Sequence, residues 1–154
     1  MSGLLIERLQ PVKGIDPVAD GMAGGVYSDV YDMSAFSRIV FLVYRGVATG
    51  GTAAPTYTVE ACDDTTPTNH PTVPFNYRKS LGAPAVATAT GFQATAGSSA
   101  IDLIEIDESA LAPSGYRYVR LAIAETVNDP AVSAVLALGE LKDARNAAYA
   151  DVTD

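Results

Sequence analysis

One stretch constrains the fold of this chain more than any other. Between Ile39 and Tyr44, within Ser37-Arg38-Ile39-Val40-Phe41-Leu42-Val43-Tyr44-Arg45-Gly46, the side chains are apolar on both alternating faces. A strand with one wet face alternates apolar and polar residues. This one therefore predicts burial between two layers, or cover supplied by another subunit. Gly, Ala, Thr and Pro dominate the turn over 47–55, and the next strand does alternate. Tyr57, Val59 and Ala61 share one of its faces, and Thr58, Glu60 and Cys62 the other.

Further strands are expected over 26–31, 73–78, 101–107, 116–124 and 132–138, with weaker ones near 86–90 and 91–95. Pro74 marks 73–78 as edge-like, because proline cannot donate to a ladder. In 101–107, Asp102, Ile104 and Ile106 share one face, and Ile101, Leu103 and Glu105 the other. About eight or nine short strands, separated by Gly, Pro, Asn and Asp turns and by no long amphipathic helix, predict an all-β sandwich or barrel. Long connections favour a jelly-roll-like β-sandwich over a meander. A chain of 154 residues suits one domain. Residues 1–24, rich in Gly and Pro, read as an extended N-terminal arm with one short strand over 4–9. Residues 25–141 read as the β-sandwich domain, and 142–154 as a C-terminal tail. The Ala-rich 141–149 is either a short helix or a frayed end, since a solitary short helix is marginal without packing.

Charge and composition narrow the function. A net charge of −8 argues against nucleic acid, whose phosphates need clustered Lys and Arg, and against anionic membranes. It suits docking on a basic or mixed protein surface. The longest apolar run, 39–44, is far short of the ~20 residues that span a bilayer. The start, Met1-Ser2-Gly3-Leu4-Leu5-Ile6-Glu7-Arg8, has no basic region and only a short apolar run, so export by the general route is not expected. Cys62 is the single cysteine, which permits no intrachain disulfide and suits a reducing cytosol.

No catalytic set stands out, and the expectation is a protein that is not an enzyme and carries no cofactor. His70 is the only histidine, and it lies in a Thr- and Pro-rich loop expected to be too flexible to tune a base. One His and one Cys cannot close a zinc site, and Cys62 reads as a small buried filler. Asp29 with Asp32, Asp63 with Asp64, and the group Asp102, Glu105, Asp107 and Glu108 could offer oxygen ligands to calcium, but none has EF-hand spacing, and solvated carboxylates account for them equally well. Gly24-Gly25 and Gly50-Gly51 read as turns, not phosphate loops.

The suggestive residues are those of an interface. Tyr116, Tyr118 and Arg120 share one side of a strand whose other side is core, and Tyr and Arg are enriched where proteins meet. On the doubly apolar strand, Val40, Leu42 and Tyr44 form the second face that something must cover. Leu4 and Ile6 of the arm complete the candidate set.

Several segments together have a familiar order. They are Val26-Tyr27-Ser28-Asp29-Val30-Tyr31-Asp32-Met33-Ser34, Thr49-Gly50-Gly51-Thr52-Ala53, Thr58-Val59-Glu60-Ala61-Cys62-Asp63-Asp64, Ile104-Glu105-Ile106-Asp107 and Tyr116-Arg117-Tyr118-Val119-Arg120-Leu121. In this order, over about residues 25–140, the chain resembles the capsid decoration (cement, head-stabilising) proteins of tailed bacteriophages. The resemblance implies a jelly-roll-like sandwich on the outer surface of the virion's capsid. It would be made in the host cytoplasm, with the major capsid protein as partner, self-association as a homodimer or homotrimer, and the N-terminal arm as a tether. The second likeness is to sugar-binding jelly rolls of the discoidin kind, which would make the chain a carbohydrate-binding β-sandwich module.

Overall fold

The computed structural model describes residues 8–47, 54–97, 99–125 and 133–142, together with the backbone of 152–153. Its strands, in chain order, begin with β1 (Leu9–Val18), β2 (Val26–Tyr27), β3 (Val30–Asp32), β4 (Phe36–Arg45) and β5 (Thr56–Cys62). They continue with β6 (Thr72–Val73), β7 (Phe75–Arg78), β8 (Pro84–Ala87), β9 (Phe92–Gln93) and β10 (Ala100–Asp107). The last three are β11 (Tyr118–Ala124), β12 (Ser133–Leu141) and β13 (Val152–Thr153). A six-stranded sheet has the order β1-β12-β4-β10-β7-β8. A second sheet runs β13-β3-β11-β5-β6, with β2 paired to β11 and β9 to β5. The pairings are antiparallel throughout, and the two sheets pack face to face as an all-β sandwich.

Alternation builds the core. Ile39, Phe41 and Val43 of β4, Ile104 and Ile106 of β10, and Val135 and Ala137 of β12 point inward from the first sheet. Tyr57, Val59 and Ala61 of β5 and Val119, Leu121 and Ile123 of β11 meet them from the second. The Tyr31 and Phe41 rings touch across the gap, their centroids 5.6 Å apart.

Three departures from the sequence expectation have local causes. First, the segment expected as an arm contains β1, which pairs with β12 as a sheet edge; residues 1–7, with Leu4 and Ile6, lie outside the described residues. An edge strand tolerates Pro11 and Pro17, because one side of its backbone needs no ladder donor. The register shifts between Lys13 and Ile15, where a Cβ on Gly14 would stand 2.6 Å from the Val135 carbonyl oxygen, so only glycine fits. Second, the strand expected over 26–31 is broken at Ser28. Its N–H donates to the Leu121 carbonyl (2.9 Å), while its hydroxyl replaces a backbone carbonyl as acceptor for the Leu121 N–H (2.9 Å). Third, the strand expected over 73–78 is two strands. The chain leaves the second sheet at Val73 and enters the first at Phe75, and Pro74 sits at the crossing. The stretch 141–149, open between a short helix and a frayed end, begins at Leu141, which closes β12; 143–149 lie outside the described residues.

Candidate functional site

The outward face of the six-stranded sheet is apolar across three strands. Register places Val40, Leu42 and Tyr44 of β4 beside Leu138, Leu136 and Ala134 of β12, and beside Glu105, Leu103 and Ile101 of β10. None of these side chains belongs to the interior set. Leu136 is 42% exposed and Tyr44 49%. Toward β8, Val86 stands 73% exposed, and a shallow groove of ≈ 540 Å³ runs between Val40, Leu103, Tyr77, Pro84 and Val86. Charge enters this face at Glu105, beside Val40, and at Arg78 in the groove wall. Arg38 bridges Glu140 (3.0 Å) and Glu105 (3.7 Å) at one end of the patch. The doubly apolar strand read from sequence is thus covered on one side by the core and on the other by nothing within the described residues.

The outward face of the second sheet is built differently. Arg120 Nε donates to Glu60 Oε2 at 2.7 Å, and His70 Nδ1 lies 3.2 Å from the same oxygen. The Arg120 guanidinium also lies under the Tyr27 ring, 3.9 Å from its centroid. A charged group so close to an aromatic face gains quadrupole attraction as well as the ion pair. Arg117 reaches Asp32 at 2.9 Å and donates to the Tyr118 hydroxyl at 2.7 Å, and both contacts raise its pKa further above neutrality. Glu60 and Cys62 are buried on this face, and burial pushes the Cys62 thiol up to about 12, with Arg120 opposing the shift. Arg120 is therefore already engaged by its own domain. Tyr118 stands on this face, but Tyr116 precedes the strand and packs against the core instead, so the expected trio does not share one surface.

The loop after β5 is ordered, contrary to the flexible loop expected around His70. The Asp63 carboxylate accepts from the backbone N–H groups of Asp64, Thr68 and Asn69, from the Thr68 hydroxyl and from the Asn69 amide, at 2.9–3.1 Å. These donors, Asn69 foremost, lower its pKa to about 2. The closed loop delivers His70 to Glu60.

A third polar group lies between the sheets. Arg45 and Asp102 approach to 3.2 Å with both side chains buried. Tyr57 donates its hydroxyl to Asp102 Oδ2 (3.1 Å), the Ser80 N–H donates to Asp102 Oδ1 (2.8 Å), and Arg45 donates to the Gly97 carbonyl (3.2 Å). Burial and then the Asp102 charge raise the Tyr57 pKa, so this hydroxyl stays protonated. Ser80, Leu81 and Ser99 beside this group have positive φ (48°, 57° and 54°), which costs strain for residues with a Cβ. Alternation groups Asp102 with Ile104 and Ile106, and the structure turns that face inward, yet its partner Arg45 lies far away in the chain and carries no local signal. Asp102 and Glu105 point to opposite sides of β10, so the acidic group weighed for calcium is split between interior and surface. Among the described residues no cluster of three or more His, Cys, Asp or Glu is placed to hold a metal ion, and no helix is long and apolar enough to cross a membrane.

No protein-family model and no curated protein matches the chain.

Proposed function

We propose that this chain is a non-enzymatic structural protein of a phage virion, which binds the outer capsid surface and braces neighbouring capsid subunits. The observation that carries the reading is the uncovered apolar face around Val40, Leu42, Leu103, Leu136 and Leu138. A contiguous apolar patch with a charged margin is a surface for assembly. The residue order over about 25–140 resembles the decoration proteins and supplies the capsid as the setting. In this reading the sandwich is jelly-roll-like, the major capsid protein is the partner, and the residues before β1 act as the tether.

The test is co-sedimentation with assembled capsid shells of tailed phages. The expected result is that the protein pellets with shells and raises the temperature at which they disrupt. Failure to pellet with the shell of the virus that encodes it overturns the reading. One observation favours a second reading, a carbohydrate-binding module. Tyr27 is 55% exposed over Arg120, beside Glu60 and His70, an aromatic ring next to polar groups that a sugar could use. Glycan-array binding, lost in Tyr27→Ala and without shell binding, selects that alternative.

A further inference from the structure

We infer that the outward face of the six-stranded sheet is a homotypic docking surface, closed by the same face of a second copy around a two-fold axis near Leu42. The inference rests on the assembly reading above and names the occupant of its apolar face.

Charge argues for a second copy. The chain carries a net charge of −8. The outward positions of this face, however, hold Lys13, Arg38 and Arg78 against Glu105, Asp107 and Glu140, so the excess negative charge lies elsewhere. A face shaped for a basic partner would be acidic. A balanced face can meet its own copy without repulsion. Size agrees as well. Six strands of four to ten residues, at ~4.8 Å spacing and ~3.4 Å rise, give roughly 700 Å², close to the ~800 Å² each partner contributes to a standard stable interface. The apolar residues of β4, β12 and β10 form its centre, and the ion pairs of Arg38 lie at one end, the layout of an interface core and its margin.

The sheet also directs association to its face and away from its edges. The edge strands β1 and β8 carry Pro11, Pro17 and Pro84, and β1 is further bent by two register shifts. Prolines and bulges block edge-to-edge pairing. Sheets stack face to face through their side chains at ~10 Å, so the apolar centre of this face can pack against the same centre of a second copy. In an isologous interface the residue nearest the axis meets itself. At the centre of the patch that residue is Leu42, between Leu136 and Leu103.

Sedimentation equilibrium of the full chain from about 1 to about 100 μM tests this, with two variants alongside. The parent is expected to be dimeric at the upper end. Leu136→Lys, at a site already 42% exposed, is expected to remain folded by circular dichroism but to weaken the dimer at least tenfold. Leu42→Cys is expected to be joined to the same residue of the second copy by a bismaleimide spanning ~10 Å, while the buried Cys62 does not react. A parent that stays monomeric at 100 μM overturns the inference. So does a dimer that survives Leu136→Lys and leaves Leu42→Cys unlinked, because it must use another surface. A monomeric parent whose shell binding is lost in Leu136→Lys overturns it too, and assigns the face to the capsid. Shell binding by a monomer leaves the bracing function standing, whereas a dimer that ignores shells refutes that function and keeps the interface.

Discussion

The two outward faces of this sandwich solve the same problem in opposite ways. Each belongs to a sheet whose inner side is core. On the second sheet, β5 and β11 place Glu60 and Arg120 opposite each other, and the ordered loop held by Asp63 brings His70 down onto them. That surface is closed by its own domain. On the first sheet, the corresponding central positions are Leu42, Leu103 and Leu136, and no loop of the described residues crosses them. The closed face shows how a lone domain finishes a sheet, and the open one shows where this chain leaves the work to another molecule.

Ion pairs at three depths make the contrast measurable. The deepest, Arg45 with Asp102 between the sheets, sets the scale. Asp102→Ala leaves a buried guanidinium without its carboxylate and frees the Tyr57 hydroxyl and the Ser80 N–H. It is expected to cost about 3–5 kcal/mol in urea unfolding. On the closed face, Arg120 and Glu60 are 13% and 10% exposed. Glu60→Ala should cost about 1–3 kcal/mol, less than the interior pair because some solvent reaches the orphaned Arg120. At the rim of the open face, Arg38 and Glu105 are 46% and 36% exposed, and Arg38→Ala should change stability by no more than about 0.5 kcal/mol. A cost for Glu60→Ala as small as that for Arg38→Ala would show that the second face is not closed by its polar network.

Much of this arrangement was readable in the chain, and the unreadable part has a physical pattern. Period-two alternation placed Asp102 with Ile104 and Ile106, and it exposed the doubly apolar 39–44, because burial on a strand depends on parity alone. Parity fails where the backbone departs from the strand. Parity groups Tyr116 with Tyr118 and Arg120, but the strand starts only at Tyr118. β1 was hidden because Pro11, Gly14 and Pro17 look like arm residues when the strand's edge position is unknown. The partners Arg45–Asp102, Glu60–Arg120 and Glu60–His70 are set by the pairing of distant segments or by a loop's closure, which no local pattern encodes. In the loop itself, Thr and Pro composition suggests freedom, while one carboxylate gathering five donors removes it.

That loop gives a pH-dependent way to reopen the closed face. The Asp63 carboxyl ionises at about 2, below its ordinary value of 3.8, because its donors favour the charged form. A depressed folded pKa stabilises the closed loop above the unfolded pKa, and that contribution is lost as pH falls through the folded one. The Thr68 and Asn69 amides should therefore stay protected from hydrogen exchange at pH 4 and lose protection toward pH 2. Asp63→Ala should leave them unprotected at both values. Protection that persists in Asp63→Ala would show that some other contact holds the loop.

The smallest effect on the isolated protomer is expected on the open face, where the smallness is itself the point. Leu136→Thr removes apolar area that is already partly wet, and it introduces a β-branched residue, which a strand favours. At about 1 μM its unfolding midpoint should match the parent's within the ~0.5 kcal/mol typical of surface changes. Raising the concentration should separate the two proteins. A ligand that binds only the folded state stabilises it by mass action, and a second copy is such a ligand. The parent's melting temperature should climb between about 1 and about 100 μM, while that of Leu136→Thr climbs less. Equal slopes for the two would mean that the greasy face contributes nothing to association, and the difference between the two surfaces would then be one of composition alone.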